Sequence, residues 1–209
     1  LLAAVLTWWA LPRLTAESRR GGAIRWSGVI MVCTVTAVLA AAHFGSFTYL
    51  SVLLLPSAWG GSSYPAALLI YGLAGLGGTM ACSRFLDQHP GGTAVAVLLS
   101  LLAGFAMLFA GLSSPAVMII LGLIAWGAAF SALPPVLQRG VLRAGPGAAA
   151  RVSAWYLVAF QIGIAGGSAV GGVTLASRGG SSLLIGSLVL TVLASVGVVI
   201  GRRWFGQGP

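Results

Sequence analysis

His43 stands near the middle of a long apolar stretch, with Phe47 one helical turn further on and Tyr49 nearby. Trp126 stands near the middle of another, with Phe130 one turn below it on the same helical face. Gln161 lies in a third. These side chains have chemistry to offer: an imidazole titrates near neutral pH or hydrogen-bonds a ligand, a carboxamide donates and accepts, and aromatic faces stack on apolar solutes. At membrane depth such groups are costly unless they meet partners or a cavity. The set points to an amphipathic cavity between the first and fourth apolar stretches, binding a small molecule through His43, Phe47, Tyr49, Trp126, Phe130 and Gln161. Two readings of His43 stay open, a group that handles ligand or proton and a structural histidine bonded to a backbone carbonyl. Trp126 and Phe130 are likewise either cavity lining or simple core.

Catalysis finds less to build on. The acids are Glu17 and Asp87 and the histidines His43 and His89. None assembles with its neighbours into a metal-ligand cluster or a nucleophile with its base, so no catalytic residue, metal or cofactor is expected and an enzyme is set aside. Cys33 and Cys82 lie inside apolar stretches and read as small buried hydrophobes.

The elements that must position these residues are membrane spans. Hydrophobic residues make up 58% of the 209 and charged ones 6%, with a mean hydropathy of +1.02, beyond what a soluble domain carries. A bilayer core of ~30 Å needs roughly 20 apolar residues in a helix rising ~1.5 Å per residue. Six stretches qualify: 27–55, 65–85, 93–112, 115–138, 152–176 and 182–201. The run from Leu1 to Leu11 is too short to span and begins without methionine. It reads as the tail of a helix whose start is missing, because a secretory signal places its positive charges before the apolar run and here they follow it.

Charge gives the topology. All eleven basic residues are arginine. Ten of them (Arg13, Arg19, Arg20, Arg25, Arg84, Arg139, Arg143, Arg151, Arg202 and Arg203) fall at alternate helix ends, leaving Arg178 alone on the other side. The positive-inside rule makes those ten cytoplasmic, with the C-terminus inside and outer connections at 56–64, 112–115 and 177–181. Trp8, Trp9, Trp26, Trp59, Trp155 and Trp204 lie near helix ends, as an interfacial belt would have them. Topology therefore explains the net charge of +9 without a nucleic-acid partner. The absence of lysine beside abundant Arg, Ala and Gly suits a GC-rich bacterial gene, and a bacterial plasma membrane is the expected location.

Glycine distinguishes the spans. The second carries Gly72, Gly75, Gly77 and Gly78, and the fifth sets Ala159, Gly163, Gly167 and Gly171 four residues apart on one face. Small residues at that spacing let backbones approach closely in lipid, either as static packing or as smooth surfaces for sliding. The third and sixth spans are plainly aliphatic and are expected to face lipid.

The stretches HFGSFTYLSVLL from His43, YGLAGLGGTMACSRFLD from Tyr71, WGAAFSALPPVLQRGVLRAGP from Trp126 and SAWYLVAFQIGIAGGSAVGG from Ser153 together resemble the major facilitator superfamily. The likeness is to the C-terminal half of its twelve-helix drug:proton antiporter branch, which includes arabinose-efflux-permease-like proteins, and it covers essentially the whole chain. The resemblance implies an all-α membrane fold of six helices, seven to twelve of the family, over 26–204. Residues 1–25 would then be the end of helix six and the cytoplasmic central loop, and 205–209 a cytoplasmic tail. It also implies a partner half of six helices, cavity-lining roles for the first and fourth spans, and sliding roles for the second and fifth through Gly75, Gly163, Gly167 and Gly171. The family's cytoplasmic gating motif is matched by Gly78, Arg84 and Asp87. Ser83 replaces the usual glycine, and Gln88, His89 and Pro90 replace most of the basic tail. Asp87 is expected to take hydrogen bonds from the start of the fifth span or to pair with Arg151. Gln161 stands where relatives often carry asparagine.

The implied function is secondary active efflux of a small organic solute or drug by alternating access, with the proton as coupling ion. No carboxylate lies at membrane depth in this chain, so the proton carrier is expected in the partner half, with His43 as the other candidate. A stand-alone six-helix scaffold or dimeric pore subunit is the competing reading.

Overall fold

A computed structural model describes residues 23–113 and 116–205. Helix α1 (Trp26–Phe47) is followed, after a break at Thr48 and Tyr49, by the short α2 (Leu50–Leu54). A single 3-10 turn, Gly61–Ser63, leads into α3 (Tyr64–Phe85). Then come α4 (Pro90–Gly111), α5 (Ala116–Ala144), α6 (Ala149–Ile200) and α7 (Arg202–Phe205). Helices α3 and α4 each have proline in the first turn, where its missing N–H costs no hydrogen bond. No strand occurs among the described residues.

Among the described residues five helices are long and apolar enough to cross a bilayer, and α6 is long enough to cross twice. Its 52 residues would run ~78 Å as one rod, over twice the hydrocarbon thickness. The rod breaks at Gly179, whose φ of 78° and ψ of 176° lie in a region that only glycine enters freely. The arms 149–178 and 180–200 are the expected fifth and sixth spans, so six crossings form a multi-pass all-α membrane bundle.

Helix α1 lies along α6, and close approach requires the glycine stripe. A Cβ at Gly163 would stand 2.5 Å from the Ala37 carbonyl oxygen, one at Gly167 2.5 Å from Ala41 Cα, and one at Gly171 2.5 Å from the Gly45 carbonyl oxygen. Hydroxyls then join the helices. Ser187 donates to the Ala42 carbonyl at 2.6 Å, so its single proton is spent and Ser46 is the donor across the 2.7 Å to Ser187. Of the two readings of the fifth-span stripe, close packing within this chain is the one its geometry follows.

Helix α5 packs between α3 and α4. Its Gly127 lies under the Tyr71 carbonyl, and Gly75 and Gly78 of α3 lie against Ser131 and Ala128 in return. Pro134 and Pro135 sit inside α5, and Pro135 removes the N–H that would bond the Ser131 carbonyl. The Thr79 hydroxyl of α3, which bonds its own Gly75 carbonyl at 3.0 Å, stands 3.4 Å from that freed oxygen. Its one proton serves the nearer Gly75 carbonyl, so the freed Ser131 oxygen receives only the long arm of a shared contact. The third and sixth spans are not wholly lipid-facing: α4 buries Leu98, Leu101, Phe105 and Leu108 and exposes Val95 and Leu99, and the arm 180–200 buries Leu184, Ser187 and Thr191 and exposes Val189 and Leu193.

Arginines collect at one end of the bundle. The Arg25 N–H donates to the Ala144 carbonyl at 2.8 Å, and Arg25 and Arg203 lie over the Trp204 ring at 5.7 and 5.0 Å. Trp26 and Trp155 are half exposed, whereas Trp204 is buried beneath those cations. At the opposite end Trp59 Nε1 donates to the Ala116 carbonyl at 3.3 Å, and Leu53 lies against Gly180 beside Arg178. Trp8, Trp9, Arg13, Glu17, Arg19 and Arg20, and the tail 206–209, lie outside the described residues.

Candidate functional site: an aromatic cluster around His43

His43 and Trp126, placed at similar depth in two different spans, meet between helices α1 and α5. Trp126 Nε1 donates to His43 Nδ1 at 3.0 Å, and the residues are 0% and 2% exposed respectively. A ring that accepts at Nδ1 carries its proton on Nε2, so this bond selects the tautomer. Phe130 lies parallel to His43 with centroids 3.2 Å apart, and Phe47 is nearly parallel at 5.0 Å. Phe44 meets His43 edge-on at 4.6 Å. His43 is thus structural in one respect, being bonded and buried, but its partner is an indole and not the backbone carbonyl considered from sequence.

Further rings extend the cluster to five helices. Tyr71 of α3 lies 5.1 Å from Phe47 and 5.4 Å from Trp126, and Phe105 of α4 lies 5.0 Å from Trp126. Phe160 of α6 lies 6.1 Å from Phe44 and 6.5 Å from Phe130, with Tyr156 behind it at 6.2 Å. Edge-to-face and offset pairs at these distances are the favoured geometries for rings. None of these side chains bears a carboxylate or a guanidinium, so the cluster offers π-faces and a few hydrogen-bonding atoms.

Its members fill the space between α1 and α5 in this conformation. A cavity of about 360 Å³ opens elsewhere, between α3, α4 and α5, lined by Gly78, Cys82, Thr93, Ala96 and Ala132 among others. Two predicted site residues fall outside the cluster. The Tyr49 hydroxyl donates to the Ser168 carbonyl at 2.8 Å and, beside the Thr48–Ser168 hydroxyl pair at 2.9 Å, ties α1 to α6. Gln161 is exposed on the opposite side of α6 from the glycine stripe. Conversely, Phe44, Tyr71, Phe105, Tyr156 and Phe160 join the cluster without having been singled out in the sequence. Tyr71 had a signal: it lies four residues before Gly75, on the stripe Ala67, Gly75 and Cys82 that α3 buries.

The residues that match the gating motif are arranged differently from expectation. Asp87 pairs with Arg139 of α5 at 2.5 Å, and the same guanidinium donates to the Leu86 carbonyl at 3.1 Å. Arg151 is exposed at the start of α6 and borders a cavity with Ile24 and Trp26. The reason is packing order: α3 lies along α5, so the last turns of α5 pass the loop holding Asp87, while α6 begins beside α1. Arg84 is exposed.

No family model matches the chain. Relatives do. The chain is 31% identical over 201 residues to a chloramphenicol efflux pump of Mycobacterium tuberculosis, covering 92% of this chain and 48% of that protein. It is 25% identical over 187 residues to a probable sugar efflux transporter of Helicobacter acinonychis, covering 86% and 47%. A probable sugar efflux transporter of Mannheimia succiniciproducens is 26% identical over 181 residues, covering 85% and 43%. The chain is similar to membrane efflux transporters. It spans about half the length of these curated relatives, and they are named for transport and not for catalysis.

Proposed function

We propose that this chain is the C-terminal six-helix half of a major facilitator superfamily efflux transporter of the drug:proton antiporter branch. It works with a six-helix partner half in a bacterial plasma membrane. The observation that carries the reading is the match of 92% of a six-crossing bundle to about half of an efflux pump. A site between two such halves reaches both sides in turn when the halves rock. The aromatic cluster supplies one wall of that site, with a solute moving outward in exchange for protons. Because one relative is named for chloramphenicol and others for sugars, the solutes to try first are small, uncharged and hydroxyl-bearing. The Arg-rich end is cytoplasmic by the positive-inside rule.

The test is expression of the complete gene in a bacterial host lacking its own efflux pumps. Lower accumulation of labelled chloramphenicol, abolished by a protonophore, is the expected result. Unchanged accumulation across chloramphenicol and a panel of sugars would overturn the efflux reading.

A further inference from the structure

Tyr71 ends in a polar atom without a partner. Its hydroxyl is enclosed by protein and makes no hydrogen bond among the described residues, although a buried phenol ordinarily finds one. Its place is not peripheral. The ring packs 5.1 Å from Phe47 and 5.4 Å from Trp126, held there because Gly127 of α5 comes up against the Tyr71 backbone. The neighbouring polar pair is in the opposite condition, for Trp126 and His43 satisfy each other at Nδ1. That bond leaves the His43 proton on Nε2, so an imidazole N–H and the Tyr71 phenol O–H stand as hydrogen-bond donors among rings that carry no formal charge.

We propose that Tyr71 is the hydrogen-bonding anchor for an uncharged, ring-bearing solute with a hydroxyl or carbonyl group, a reading that rests on the transport function above and names its substrate class. The rings are closed on one another in this conformation, His43 lying between Phe47 and Phe130; when they part, the solute packs against Phe47, Phe130 and Phe160 and its polar group gives the phenol the partner it lacks. An anion would meet the negative faces of the rings with no cation to receive it, and a cation would shed its water with no carboxylate to compensate. A site with an unpaired polar group also rejects a solute that cannot pair with it, because the mismatch leaves that group buried and unbonded. Selection therefore falls on the polar group as much as on the ring.

The experiment uses the complete transporter in detergent, wild type and Tyr71→Phe, with three probes of one shape: naphthalenemethanol, methylnaphthalene and naphthylmethylammonium. Binding is read as saturable quenching of tryptophan fluorescence and folding as the thermal midpoint. The wild type is expected to prefer the alcohol to the hydrocarbon and to the cation. Tyr71→Phe is expected to weaken the alcohol about tenfold, equivalent to ~1.4 kcal/mol, to leave the hydrocarbon unchanged, and to raise the thermal midpoint by removing an unpaired group. Equal effects on alcohol and hydrocarbon, or no effect on either, would overturn the proposal, as would tightest binding of the cation. Should Tyr71→Phe fold poorly, the wild-type ranking of the three probes still decides the substrate class. Solute flux measured on the same wild-type preparation separates the two readings. Binding without flux removes the transport function, and flux with an unaltered alcohol preference in Tyr71→Phe removes only the anchor.

Discussion

The bond from Trp126 to His43 constrains protonation as well as position: an imidazole with protons on both nitrogens has no lone pair for Nε1, so the buried pair requires a neutral histidine. A double-mutant cycle with Trp126→Phe and His43→Phe measures it, and a coupling of about 1 kcal/mol in thermal or denaturant stability is expected for an interhelical hydrogen bond in lipid. Coupling near zero would mean that ring packing alone holds the pair. One nitrogen is committed to Trp126 and Asp87 lies in the loop between α3 and α4; on the proposed transport function, His43→Ala in the complete protein should therefore weaken solute binding while leaving proton coupling largely intact. Solute-driven proton movement in vesicles is the readout, and its loss with binding preserved would reverse those roles. That His43 and Trp126 stand at similar depth in two spans was legible from the sequence. That they bond each other was not, because it depends on the rotation of each helix about its axis.

At the scale of the element, glycine positions divide into those that touch and those that do not. Gly167 faces the α1 backbone, whereas Gly166, one residue away, has open space within 4 Å of where a side-chain methyl would stand. Gly167→Val should force α1 and α6 apart and cost upwards of about 3 kcal/mol, as overpacking against backbone has no flexible side chain to yield. Gly166→Ala should be neutral or stabilising by up to about 1 kcal/mol, since alanine is the better helix former. Thermal midpoints of the two variants check this, and a similar loss in both would show that the interface in solution is not the one described. The four-residue spacing announced the stripe, but which helix it meets needed the fold. Likewise the break between the last two spans fell in 177–181 on hydropathy and charge, while its assignment to Gly179 required a backbone angle.

Across the whole molecule, the Asp87–Arg139 pair joins the α3–α4 loop to the end of α5, with Asp87 84% and Arg139 32% exposed. An ion pair so open to water contributes at most about 1 kcal/mol, so Asp87→Asn should hardly shift the thermal midpoint of the complete protein. If the pair closes the cytoplasmic side during the cycle, the same change should slow transport several-fold, and a transport rate equal to wild type would confine the pair to a surface ornament. Topology is tested by cysteine labelling in a background lacking Cys33 and Cys82. Arg178→Cys should react with an impermeant maleimide in intact cells, and Arg84→Cys only after permeabilisation. The reverse pattern would invert the bundle.

The membrane class, the six crossings and the gathering of arginines at one end came from the sequence alone, because a bilayer demands long apolar helices and charge sets their direction, and both are properties of local composition. Tertiary structure decided the partners: Trp126 for His43, Arg139 for Asp87, Ser168 for Tyr49, the α1 backbone for the glycine stripe, and an exposed face for Gln161. Each depends on which helices are neighbours and how each is turned about its axis. Sequence spacing records the face a residue shares, and only packing in three dimensions records what that face meets.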